Sequence, residues 1–248
     1  MKRFVFILSI LITICCVSFK VQPQKKLSIF LIGDSTMADK KPDKFPETGW
    51  GQALSQFFFD NTVIKNHAVN GRSTKSFITE GRWQKVLEEL KNGDYVFIQF
   101  GHNDQKFKDS SRYTNPYSSY RANLSKFVSE AREKGAISIL CTSVVRRNFN
   151  DFGTLIDTHG AYPEVSRSVA KDLNTPLIDL QILTEHLVIS TGPEKSKELF
   201  LWVEKGHKNY PEGKEDNTHF NNKGAKVVAE LAIKELKKLD IDLKKHIK

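Results

Sequence analysis

Short apolar runs recur along this chain, each followed by a segment with helical spacing, and few folds accept that order. Leu27-Ser28-Ile29-Phe30-Leu31-Ile32 is the first run and Tyr95-Val96-Phe97-Ile98-Gln99-Phe100 another; Ile137 to Cys141 and Leu177-Ile178-Asp179-Leu180 follow. Thr62-Val63-Ile64 is a shorter candidate. Near-continuous apolar runs of this length suit strands buried on both faces, as in parallel sheets. Between them, Trp83, Val86, Leu87 and Leu90 fall at helical spacing, as do Leu124, Phe127, Val128 and Ala131. Ala225, Val228, Ala232, Leu236 and Leu239 line one face of a last helix. Strand and helix alternate throughout, which predicts one open α/β sheet with helices on both faces. A length of 248 residues fits a single domain, placed over residues 24–240, with no internal repeat or linker.

The first residues read differently. Lys2 and Arg3 precede an apolar run from Phe4 to Ile14, and Cys16-Val17-Ser18 offers small residues for cleavage. Residues 1–18 therefore read as a secretory signal peptide. The run is shorter than the roughly 20 residues a membrane-spanning helix needs. The expectation is export to the periplasm or outside the cell, without stable membrane association afterwards. An uncleaved anchor and a lipoprotein at Cys15 or Cys16 are the competing readings. Residues 1–18 carry two positive charges, so their removal takes the formal net charge from +9 to +7. It also leaves Cys141 as the lone cysteine, in an apolar stretch that marks a buried structural thiol. The basic surplus reads first as a solvated surface and second as attraction to an acidic polymer. No zinc-finger, RNP or helix-turn-helix signature points to nucleic acid.

Ligands of open α/β sheets sit beyond the carboxyl ends of the strands. Four polar clusters fall there or at a helix start: Gly33-Asp34-Ser35-Thr36, Asn70-Gly71-Arg72-Ser73, Gly101-His102-Asn103-Asp104 and Asp216-Asn217-Thr218-His219. A serine hydroxyl needs a base to become a nucleophile, histidine suits that role, and a carboxylate fixes the tautomer of the imidazole. Ser35, His219 and Asp216 supply that set, with Asp216 and His219 expected in a single turn before the last helix. An oxyanion needs donors, for which the Ser35 N–H, the Gly71 N–H and the Asn103 amide are the candidates. Each cluster alone is as readily a helix cap or a turn; their ordered company carries the reading. Arg72 and Lys75 are the candidates for touching an anionic sugar. Trp50 and Trp83 read as scaffold, and His102 as support for the turn presenting Asn103. His67, His159, His186 and His207 lack metal-ligand spacing. The polar loops from about Phe107 to Asn115 and Gly206 to Asn217 are candidate substrate-facing surface.

These clusters, with Gly49-Trp50-Gly51, Glu80-Gly81-Arg82 and Phe100-Gly101-His102-Asn103-Asp104, resemble the SGNH (GDSL-type) hydrolases, and most closely their rhamnogalacturonan acetylesterase branch. The resemblance spans nearly the whole chain after residue 18. It implies a flavodoxin-like three-layer α/β/α sandwich around a central parallel sheet. It implies Ser35, Asp216 and His219 as catalytic residues, Ser35, Gly71 and Asn103 as the oxyanion hole, and neither metal nor cofactor. Asn70 departs from the small residue often found before the oxyanion glycine. The implied activity is deacetylation of an acetylated polysaccharide or oligosaccharide, pectic rhamnogalacturonan foremost. An acetylxylan or general short-acyl esterase is the alternative, and a non-catalytic carbohydrate-binding protein the reading from another class. No Gly-x-Ser-x-Gly elbow of the α/β-hydrolases is present.

Overall fold

A computed structural model describes residues 26–248. The proposed signal peptide lies outside the described residues. Five parallel strands form the central sheet: β1 (Leu27–Gly33), β2 (Thr62–Asn66), β3 (Tyr95–Gln99), β4 (Ile137–Cys141) and β5 (Leu177–Ile178), in the order β2-β1-β3-β4-β5. Each expected apolar run is a strand, although the last stops at Ile178 because Leu180 already begins a helix. Among the described residues, no helix is long and apolar enough to cross a membrane.

The period of two along each strand divides the core into layers. Ile29 and Leu31 of β1, with Phe97 and Ile139, pack on one face against α1 (Trp50–Leu54), α6 (Leu180–Thr191) and α7 (Asn222–Leu236). Phe30 and Ile32, with Val96, Ile98 and Leu140, pack on the other. That face is covered by α2 (Thr74–Thr79), α3 (Arg82–Glu89), α4 (Arg121–Glu133) and α5 (Tyr162–Asp172). The result is the expected three-layer sandwich. Its core also takes in Leu243 and Ile247, so the unit runs past residue 240 to the C-terminal end. Cys141 is buried, and burial pushes its thiol far above the usual range. Trp50 and Trp83 are buried, with their indole N–H groups donated to Gln99 and Glu130.

One element departs from the expected alternation. β6 (Phe200–Val203) and β7 (Lys214–Phe220) form a separate antiparallel hairpin ahead of α7. The sequence of β7 is polar because its strand pairs on one side only and faces solvent, so it lacks an apolar rhythm. The register explains its use. Phe200 opposes Phe220, but Leu201 opposes Asp216, so Asn217, Thr218 and His219 bulge out of the ladder. Bulges of this kind re-aim side chains at sheet edges. Asp216 and His219 therefore stand on a bulged strand, not in the plain turn the sequence led us to expect.

Candidate active site

The sheet order makes β1 and β3 neighbours whose outgoing loops diverge, and such a switch point opens a crevice at the carboxyl edge. Ser35 stands in the tight turn after β1. There Met37 and Ala38 donate their N–H groups to the Asp34 carbonyl, and the Asp34 carboxylate accepts from the Thr36 N–H at 2.9 Å and hydroxyl at 2.8 Å. Gly33 permits this turn to sit close against β3: a Cβ there would stand 2.6 Å from the Gln99 carbonyl oxygen. Asp34 is buried and accepts from Nδ1 of His102 at 3.1 Å. Burial alone would raise its carboxyl, but His102 and Thr36 together bring it down to about 2. Burial in turn holds the His102 imidazole below its ordinary value. His102 thus ties the serine turn to the loop of Asn103.

Gly71 follows β2 with φ +77°, a left-handed conformation that glycine adopts without a Cβ penalty. Its neighbour Asn70 accepts from Lys40 Nζ at 2.7 Å, and Lys40 also pairs with Glu47 at 2.8 Å. Asn103 gives one of its amide N–H groups to the Arg72 carbonyl at 3.1 Å, which ties the loops after β2 and β3 together. Asp104 adds a second tie, since its buried carboxyl accepts from the Thr74 N–H at 3.0 Å and the Thr114 hydroxyl at 2.8 Å.

The hairpin supplies the rest. His219 Nε2 lies 2.8 Å from Ser35 Oγ, and its Nδ1 lies 2.8 Å from Asp216 Oδ2. The other carboxylate oxygen of Asp216 accepts from the N–H groups of Thr218 and His219, at 2.8 and 3.0 Å. Burial opposes the charge of Asp216, but the His219 imidazole and those two N–H groups hold its carboxyl far below the usual range. Arg147, following β4, anchors the bulge: its N–H and Nη1 donate to the carbonyl and side-chain oxygens of Asn217, both at 2.8 Å. Its guanidinium also lies over the Trp202 ring of β6, 5.1 Å from the centroid.

Ser35, Gly71, Asn103, Asp216 and His219 line one open cleft. Arg72 and Lys75 do not line it. Arg72 is taken up by Glu80 at 3.0 Å and borders an adjoining cleft, and Lys75 donates to the Ser110 carbonyl at 2.6 Å. The cations on the cleft are instead Lys44, Lys106 and Lys214, with Tyr210 beside them. Of these, Lys106 borders one of the loops read as substrate-facing, and Tyr210 and Lys214 belong to the other. A ladder of polar residues gives no signal for which member turns inward.

Comparison with known proteins identifies the family. Residues 31–227 match the model of the GDSL-like lipase/acylhydrolase family. The chain is 46% identical over 225 residues to the rhamnogalacturonan acetylesterase RhgT of Bacillus subtilis (strain 168), covering 90% of this chain and 95% of that one. It is 35% identical over 219 residues to the probable rhamnogalacturonan acetylesterase YesY of the same organism, over 88% of this chain and 96% of the relative. The crystal structure of the Bacillus subtilis protein YxiM superposes with a TM-score of 0.73 at 28% identity, covering 89% of this chain and 59% of that one. The chain belongs to the GDSL-like lipase/acylhydrolase family and is a serine carboxylic-ester hydrolase.

Proposed function

We propose that this protein removes O-acetyl groups from a plant cell-wall polysaccharide, with pectic rhamnogalacturonan the leading substrate, through a Ser35–His219–Asp216 acyl-enzyme mechanism. The observation that carries the reading is the unbroken hydrogen-bond chain from the Asp216 carboxylate through the His219 imidazole to Ser35 Oγ. Ser35 Oγ attacks the acetyl carbonyl while His219 Nε2 takes its proton. The carboxylate of Asp216 keeps the other proton on Nδ1 and stabilises the imidazolium. The N–H groups of Ser35 and Gly71 and the Asn103 amide receive the oxyanion. Collapse expels the sugar hydroxyl with the proton from His219, leaving an acetyl-enzyme. Water, deprotonated by His219, then releases acetate. The similarity to acetylesterases over almost the full length of both chains supports the acyl group and the substrate class. The charge pattern of residues 1–18 supports export, where such a polymer is met.

The test compares wild type with Ser35→Ala on 4-nitrophenyl acetate, acetylated pectin and acetylated xylan. Wild type should release acetate from all three with pectin preferred, and the variant should lose about 10⁶-fold in kcat. Equal turnover by the two proteins would remove Ser35 from the mechanism, and a preference for xylan would move the substrate to the alternative.

A further inference from the structure

Glu80-Gly81-Arg82 lies outside the catalytic cleft, yet its side chains reach back to the loop of Gly71. The short helix α2 makes this possible. It starts at Ser73, whose hydroxyl accepts from the Ser76 N–H at 3.1 Å and whose N–H donates to Ser76 Oγ at 2.9 Å. It ends where Gly81 turns left-handed, with φ +68°. Glu80 thereby returns beside Arg72. Arg72 Nε donates to both carboxylate oxygens of Glu80, at 3.1 and 3.0 Å, and Arg82 Nε to one of them at 2.6 Å. Burial opposes the charge of Glu80, but the two guanidinium groups hold its carboxyl below its ordinary value. Ion pairs that are a third exposed add little to stability. The use of this one lies at the other end of the guanidinium, where Arg72 Nη1 donates to the Asn70 carbonyl at 2.9 Å.

That carbonyl shares its peptide unit with the Gly71 N–H. The unit is trans, so its C=O and N–H point in opposite directions, and a donor fixed on the oxygen sets where the N–H aims. Among the described residues, the Gly71 N–H meets no acceptor. Lys40 holds the Asn70 side chain at 2.7 Å, but the following glycine tolerates either sign of φ, so the peptide between them is free to turn over. Turned over, it would present an oxygen to the oxyanion in place of a donor. The Arg72 main-chain carbonyl also accepts from the Asn103 amide at 3.1 Å. Supports of two oxyanion donors therefore meet at this one residue.

We infer that Arg72, clamped by Glu80, is a positioning residue of the oxyanion hole: its guanidinium locks the Asn70–Gly71 peptide with the N–H toward the reacting carbonyl. A cation on the peptide oxygen also polarises the unit and strengthens its N–H as a donor. The inference rests on the reading of Gly71 as an oxyanion donor in the Ser35 mechanism. Arg72 acts without touching substrate, so its effect belongs to the transition state. It should appear in kcat rather than KM and be the same for every ester.

The experiment measures kcat and KM of Arg72→Met, Arg72→Lys and Glu80→Gln on 4-nitrophenyl acetate and on acetylated pectin, with melting curves for each protein. Arg72→Met should lose about 10- to 100-fold in kcat, less than the roughly 10²–10³ of deleting a donor outright, with KM unchanged and the same factor on both substrates. Inhibition by a trifluoromethyl ketone, whose adduct carries the oxyanion, should weaken by that factor too. Arg72→Lys keeps the charge but not the fork that spans Glu80 and the Asn70 carbonyl, so it should recover only part of the loss. Glu80→Gln should lose about threefold or more, and it carries the test if Arg72→Met does not fold. Arg121→Met breaks an exposed ion pair with Asp172 elsewhere on the surface and should change nothing. Wild-type kcat in Arg72→Met or in Glu80→Gln would overturn the inference. So would a loss confined to pectin or to KM, which would make Arg72 a substrate contact. Ser35→Ala separates the two claims. If it is inactive while Arg72→Met turns over like wild type, only the inference falls; if it stays active, the acyl-enzyme reading falls as well.

Discussion

Asp216→Asn isolates what the carboxylate does, because the surrounding donors dictate how the amide must sit. Oδ1 accepts two backbone N–H groups, at 2.8 and 3.0 Å, while Oδ2 faces only Nδ1 of His219 at 2.8 Å. An asparagine therefore keeps its carbonyl at the Oδ1 position and turns its NH₂ toward Nδ1. That forces Nδ1 to accept and moves the imidazole proton to Nε2, where it points at Ser35 Oγ and cannot receive another. The reverse placement forfeits two hydrogen bonds worth about 1 kcal/mol each. The wrong tautomer is thus favoured by about 2 kcal/mol, a factor of about 30. Loss of the charge that stabilises the imidazolium brings the expected fall in kcat to about 10⁴-fold, or about 5.5 kcal/mol. Stability should change little, since both backbone N–H groups keep their acceptor. The assay is kcat on 4-nitrophenyl acetate, with melting temperature measured in parallel. A variant that melts like wild type yet retains more than about a tenth of its kcat would refute the argument from tautomer and charge.

Two other perturbations test the scaffold. Arg147→Ala removes the buried guanidinium that binds Asn217, the Pro193 carbonyl and the Trp202 ring. It should cost about 2–4 kcal/mol, lower the melting temperature by roughly 5–15 °C, and reduce kcat as the bulge loosens; unchanged melting and turnover would show that the hairpin holds His219 unaided. Asp104 is buried, and burial lifts its carboxyl from 3.8 to about 7 despite the hydrogen bonds from Thr74 and Thr114. Between those values the folded protein keeps a proton that the unfolded chain gives up, so this group destabilises the fold as pH rises, by up to about 1.4 kcal/mol per pH unit. The buried imidazoles of His102 and His159, held below their ordinary values, act with the opposite sign at acidic pH. The informative quantity is therefore the stability of Asp104→Asn minus that of wild type from urea unfolding. It should rise from pH 4 to pH 7, and a flat difference would sink the assignment.

The inner strands of the sheet were legible because they are buried on both faces and carry continuous apolar runs. Thr62–Asn66, at the sheet edge and half-exposed, gave the faintest run for that reason. The site was legible because short polar clusters interrupt the pattern where it should continue. The hairpin carrying Asp216 and His219 was not, since Lys214-Glu215-Asp216-Asn217-Thr218 has no apolar period to betray a strand. Arg72 and Lys75 had the right charge beside the right glycine, but a one-dimensional reading cannot see that Glu80 and the Ser110 carbonyl already hold them. Lys44, Lys106 and Lys214 reach the cleft from three separate segments of the chain, which no spacing rule links.

By itself, then, the sequence determined the layer architecture and the chemical inventory of the site, because burial period and residue type are local properties. The tertiary structure decided which side chains meet: that Asp216 reaches Nδ1 through a bulge in a strand, and that His102 and Asp104 tie the serine and oxyanion loops together. Those outcomes depend on register and on contacts between residues as many as 184 positions apart, as Ser35 and His219 are, and chain order alone carries no distance.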